Sequence, residues 1–286
     1  MGQNLSLYGL IGYTYLRHDK KNPKYILILS DNHSKLPYCE KYKMISEWLY
    51  EKIKYNNILL EEVPRNNVIL KELFQNSDHT QELKKIYLDN PELIKGVDIR
   101  PLLIKFSWDL LNQYDFPESN ILFSLYLEDI DNFFNFNNIK IIEIDKYYNK
   151  ENIKKSESYI QFKILKKMYN KYKNKNKIFL NKSLKEIFNK NKNLLEVLDS
   201  FLDNIMEFYI IFNIFKFKND NKNIIVHTGL FHSEKIVFWL ENIYYYNIIE
   251  TKGINYLDEL EKTKIKSGCL NLSNNINDQL SNFNNN

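Results

Sequence analysis

The stretch "NIIVHTGLFHSEKIVFWLENIYYY", residues 223–246, decides the fold. An apolar run, "NIIVHTG" (223–229), reads as a strand buried on both faces. The segment after it, "SEKIVFWLENIYYY", reads as a helix that Ser233 could cap. Strand followed at once by helix is the repeating unit of a parallel α/β sheet. The same stretch holds two of the chain's five histidines, His227 and His232, at the point where strand gives way to turn.

Working outward, "KYILILS" (24–30) is a second continuous apolar run, and "NILLEEVP" (57–64) a third, stopped by Pro64. Between them "CEKYKMISEWLYEKIK" places Met44, Ile45, Trp48, Leu49 and Ile53 on one helical face. Strand, helix and strand at this spacing read as a right-handed βαβ unit. "LSLYGLIGYTYL" (5–16) reads as a strand or hairpin, and "KGVDIRP" (95–101) and "NIKIIEID" (138–145) as further strands. "VILKELF", "HTQELKKIYLDNPELI" and "LIKFSWDLLNQY" read as helices, residues 151–218 as helical throughout, and "YNIIETKG" as an edge strand. The asparagine-rich tail from Ser267 has the composition of a disordered segment. The expectation is a three-layer α/β/α fold with a mostly parallel central sheet. It forms one domain over residues 1–266 with a helical insertion at about 150–218, followed by a disordered tail at 267–286.

The chain has 286 residues, 44% hydrophobic and 27% charged, the balance of an ordinary globular protein. Two cysteines, Cys39 and Cys269, are too few for a disulfide framework, so a reducing, cytoplasmic setting is expected. The net charge of +4 is modest, and lysine and asparagine are spread along the chain, so no specific nucleic-acid partner is expected. "FYIIFNIF" (208–215), the longest apolar run, is far short of the ~20 residues that cross a bilayer. The start has no basic region leading into an apolar core, which argues against secretion. "MGQNLS" fits N-myristoylation at Gly2, with Ser6 at the favoured position. One such chain gives reversible membrane contact only. A glycine that merely precedes a strand is the competing reading.

In open α/β sheets, sites form beyond the carboxyl ends of the strands. Those ends carry Asp31 and His33, Glu61 and Glu62, Asp98 and Arg100, and Gly229 and His232. Imidazoles and carboxylates together suit a divalent metal or a histidine general base with an orienting partner. Each has a plainer alternative: turn residues for Asp31 and His33, an exposed helix start for His232, a structural ion pair for Asp98 and Arg100. Strand alternation lets only one of Glu61 and Glu62 face the site. His227, inside its strand, reads first as a core histidine.

Two elements, "SDNH" (30–33) after the first core strand and "GLFH" (229–232) after the last, resemble the paired G-x-x-H motifs of the erythromycin-esterase, ChaN, TraB and Tiki group. In that group the first element usually reads G-E-x-H and is followed by a strand ending in glutamate, which Glu61 matches, with Glu62 as fallback. "GVDIR" is similar to the glycine–aspartate segment that follows. The resemblance covers about residues 24–245, and the wording "DNHSKLPYC…LLEEVP" is also similar to a set of large DNA virus proteins. Three departures stand out: Ser30 replaces the first glycine, Asp31 replaces glutamate, and "FLDNIM" offers Leu202 and Asp203 where relatives often have an Arg-Asp pair.

The resemblance implies an α/β/α fold and, in some members, hydrolysis of a lactone or, with a metal, of a peptide; others carry haem, the less favoured cofactor here. The expected function is hydrolysis of an ester, lactone or peptide bond in a small molecule or peptide. In a metal form, His33, His232 and one of Glu61 or Asp31 would hold Mn²⁺ or Zn²⁺, the remaining carboxylate would take a proton from the bound water, and Arg100 would stabilise negative charge. In a metal-free form His33 is the general base, oriented by Glu61. The alternative is a catalytically degenerate viral scaffold held at membranes through Gly2.

Overall fold

A computed structural model describes residues 5–18, 24–64, 77–104, 120–217 and 220–282. The chain divides into two compact units, Met1–Val97 with Lys216–Asn286, and Asp98–Phe215. The helical part therefore begins at Asp98, well before the expected 150.

The first unit opens with β1 (Leu5–Tyr8), β2 (Gly12–Arg17), β3 (Tyr25–Asp31) and β4 (Lys43–Met44). Helix α1 (Ile45–Lys52), β5 (Asn56–Leu60), α2 (Asp78–Asp89) and β6 (Ile94–Gly96) follow. The second unit runs through α3 (Arg100–Leu103), α4 (Phe123–Phe134), α5 (Ile139–Ile144) and α6 (Lys150–Lys155). It continues with α7 (Tyr159–Lys175), α8 (Leu184–Lys190) and α9 (Lys192–Lys216). The chain then returns to the first unit with β7 (Asn223–Gly229), α10 (Leu230–Asn242) and β8 (Asn247–Gly253). Helix α11 (Leu257–Lys262), β9 (Cys269–Leu272) and α12 (Asn274–Gln279) complete it.

The fold is α/β. Among the described residues six strands form the main sheet in the order β6-β5-β7-β3-β2-β8. The β5–β6, β5–β7 and β3–β7 pairs are parallel, and β2 and β8 close one side antiparallel. The central strands are buried on both faces, which is why they read as unbroken apolar runs. One face meets α1 and α2: Trp48, Leu49, Ile53, Leu83 and Tyr87 pack with Leu27, Leu29, Ile58, Leu60 and Ile225. On the other lies α10, whose Ser233 hydroxyl, 2.8 Å from that of Ser30, ties the helix to β3. Ser30 thus serves as a helix anchor.

Sequence order does not show one decisive feature: β3 and β5 are not neighbours, because β7 slots between them. Asp31 pairs with Gly229 on one side of β7, and Leu60 pairs with His227 on the other.

Several segments differ from expectation. "NIKIIEID" is helix α5, because Asn138 accepts a hydrogen bond from the Ile141 amide and caps its first turn. Gly229, not Ser233, stands at the α10 cap position, so the helix starts at Leu230. "VILKELF" lies outside the described residues, as does most of "LIKFSWDLLNQY". The tail is ordered from 267 to 282. There β9 pairs with β1, and Leu272, Ile276 and Leu280 join the core under α1. Trp48 Nε1 donates to Asn277 at 3.0 Å and the Asn56 amide to the Leu280 carbonyl at 2.7 Å. Asn277, one of the asparagines behind the expectation of disorder, supplies the partner for Trp48. Cys39 and Cys269 form a disulfide with Cα atoms 6.2 Å apart, a single clasp between the loop after His33 and β9. Among the described residues no helix is long and apolar enough to cross a membrane.

Candidate functional site

With β7 between β3 and β5, three strand ends stand side by side. His33 follows β3, Glu61 follows β5, and His232 sits in the first turn of the helix that follows β7. The backbone of His33 is left-handed, φ 52°, at a cost of about 1–2 kcal/mol for a residue with a Cβ. Asn32 steadies the turn: its side-chain oxygen accepts from the Ser34 amide at 3.2 Å and the Ser34 hydroxyl at 2.8 Å.

The side chains form a chain of alternating rings and carboxylates. His79 Nε2 lies 2.8 Å from Asp31 Oδ1, and Asp31 Oδ2 lies 3.0 Å from His33 Nδ1. His33 Nε2 is 3.4 Å from Glu61 Oε2, and Glu61 Oε1 is 3.5 Å from His232 Nε2. Two backbone amides add to it: Asn32 donates to Asp31 Oδ1 at 2.6 Å and Gly229 to Glu61 Oε2 at 2.7 Å. Gly229 is required by space rather than by conformation. A Cβ there would stand 2.9 Å from His33 Nε2, inside the contact that joins His33 to Glu61.

Burial sets the charges. Burial by itself would push the fully enclosed Asp31 carboxyl up. The His33 and His79 contacts outweigh it and hold the group well below the ordinary carboxylate range. For His33 burial favours the neutral ring, but Asp31 and Glu61 on its two nitrogens outweigh it and push the pKa up to about 10. Both contacts favour the charged form of the ring. His227 lies under the same edge with Nε2 buried and without a hydrogen-bond partner, and burial lowers its pKa to about 4. It is a neutral ring.

The structure thus brings together Asp31, His33, Glu61, Gly229 and His232, with His227 beneath them. Asp98 and Arg100 lie in the second unit. There Arg100 Nε donates to Asp98 Oδ1 at 2.8 Å and Nη2 to Asp98 Oδ2 at 3.0 Å, while Nη1 reaches Asp203 Oδ1 at 2.8 Å. Glu62 is half-buried beside Glu61 and Gly2 lies outside the described residues. Sequence reasoning missed His79, at the start of α2. Its only signal is scarcity, since His33, His79, His227 and His232 gather at one edge out of five histidines in the chain.

As arranged, the donors are strung along a chain rather than set around a point. Among the described residues no three His, Cys, Asp or Glu side chains are placed to hold a metal ion. No protein family, curated relative or solved structure matches the chain.

Proposed function

We propose that the protein is a hydrolase of an ester, lactone or peptide bond, working through Glu61, His232 and His33. The observation that carries this reading is His33 set between two carboxylates, one at each ring nitrogen, with a second histidine on the far oxygen of Glu61. With a carboxylate at each ring nitrogen, His33 has no nitrogen left to take a proton from water, so we assign it a role different from the expected general base. It acts through its positive charge, across space, on the negative charge that develops on the carbonyl oxygen. Water attacks the carbonyl carbon and gives its proton to the Glu61–His232 pair. As the tetrahedral intermediate collapses, that proton passes to the leaving oxygen or nitrogen. Asp31, fixed by His79, keeps His33 charged and oriented. The likeness of "SDNH" and "GLFH" to the G-x-x-H pairs of the esterase and Tiki group points the same way.

The test is turnover of a panel of activated esters, lactones and peptides by the purified full chain. His33→Gln and His232→Gln should each lower the rate by about 10²–10⁴-fold while leaving the circular dichroism spectrum unchanged. A folded protein that hydrolyses nothing on the panel, or variants as fast as the parent, would overturn the proposal.

A second reading, a divalent-metal hydrolase, is favoured by one observation. The separations of 3.4 and 3.5 Å from His33 and His232 to Glu61 are longer than ordinary hydrogen bonds. They are close to the spacing of about 3.4 Å between donors that share a zinc ion at about 2.1 Å. Such an ion would require His33 to lose its proton. A stoichiometric Zn²⁺ or Mn²⁺ content that disappears in His33→Gln would establish it, and a metal-free, active protein would remove it.

A further inference from the structure

We propose that the second unit carries a separate binding site, a hollow between α6, α7 and the turn after α4 that takes a small molecule bearing several phosphates. The hollow has a volume of about 390 Å³, in the range of small-ligand pockets. Its rim is Lys150, Lys154, Lys163, Lys166 and Lys167, and its floor is aromatic. Phe136 stacks on Phe162 with ring centroids 5.4 Å apart and planes at 18°, and the Tyr159 ring stacks on Phe162 at 6.3 Å. Phe136 holds this place with a left-handed backbone, φ 61°, which the aromatic stack sustains against its steric cost.

The lysines are concentrated, contrary to the even spread expected from the sequence. Residues 150–177 hold ten lysines against two glutamates, a surplus of eight in a chain whose net charge is +4. No carboxylate pairs with any of the five rim lysines among the described residues. Lys166 Nζ is held by the Phe134 carbonyl at 3.1 Å and the Asn135 side-chain oxygen at 3.0 Å, and Lys163 Nζ lies 5.0 Å from the Tyr159 ring. Five ammonium groups around one hollow repel one another, and a multivalent anion relieves that repulsion. A single open hollow of this size fits one compact ligand, whereas a nucleic-acid strand needs an extended track. The aromatic floor gives a nucleobase or another flat group a surface to stack on.

The experiment is calorimetric titration of the full chain with sodium tripolyphosphate and with ATP, using inorganic sulfate as control. Both polyphosphates should bind and sulfate should not. The triple variant Lys154→Glu/Lys163→Glu/Lys167→Glu should weaken both by at least about tenfold. Tyr159→Ala provides a second, charge-neutral check, weakening ATP more than tripolyphosphate. Vesicles of phosphatidylcholine with a few per cent phosphatidylinositol bisphosphate separate the two phosphate sources. Vesicle binding competed by tripolyphosphate marks a headgroup held in the same hollow. Overturning results are polyphosphates binding no better than sulfate, or a triple variant that binds as the parent does. Binding of single-stranded oligonucleotides that strengthens with length and resists tripolyphosphate would equally overturn it.

Discussion

The edge of the sheet and the lysine hollow of the second unit are both rich in charge, and they handle it in opposite ways. At the sheet edge the ionisable groups are enclosed and face one another: Asp31 has no exposed surface, and rings and carboxylates alternate along an unbroken series of contacts. In the hollow the lysines stand at the surface with no carboxylate partner among the described residues. The fold itself sets the ionic state of the first. What arrives from solution sets that of the second. Removing a charge should therefore be costly at the edge and nearly free in the hollow.

The largest expected effect follows from breaking the enclosed series at its centre. Asp31→Ala leaves His33 and His79 without the carboxylate between them, and should destabilise the protein by about 3–5 kcal/mol in urea unfolding. A loss below ~1 kcal/mol would mean that the edge behaves like a surface. Next is the clasp beside it. Cys39→Ser, or reduction of the disulfide, should cost about 2–4 kcal/mol, visible as a lower unfolding midpoint.

The pH profile sharpens the contrast further. His33 has a raised pKa in the folded state, so its contribution is complete below about 6.5, the unfolded value, and is lost as pH rises towards about 10. His227 is neutral when folded, so stability falls as pH drops from about 6.5 towards about 4 and the unfolded chain takes up the proton. Stability should peak between these limbs. His33→Gln should flatten the alkaline limb and His227→Phe the acid one, as measured by urea unfolding across pH. The smallest effect belongs to the hollow: Lys154→Ala should change stability by no more than about 0.5 kcal/mol in either direction.

The parts legible in the sequence were those that local pattern determines. The strands at 25–31, 56–60 and 223–229 announce themselves as apolar runs, and His33, Glu61 and His232 follow from reading what comes after each. The parts that escaped depend on distant partners. Nothing near Leu270 or Ile276 shows that this tail pairs with β1 and packs under Trp48, and composition alone suggested disorder. His79 reaches Asp31 from 48 positions away, in a helix with no motif to mark it. Helix α5 reads as a strand because six residues rich in isoleucine look alike in either state, and the cap at Asn138 decides between them.

The placement of β7 has a consequence for how the protein is made. A nascent chain leaving the ribosome holds β3 and β5 early, but the gap between them stays open until more than 150 further residues have been synthesised. Until then two apolar strand flanks have no neighbour, and the groups that will meet at the edge are strangers to one another. Closure is a late event, and because it joins segments so far apart, it is expected to be slow.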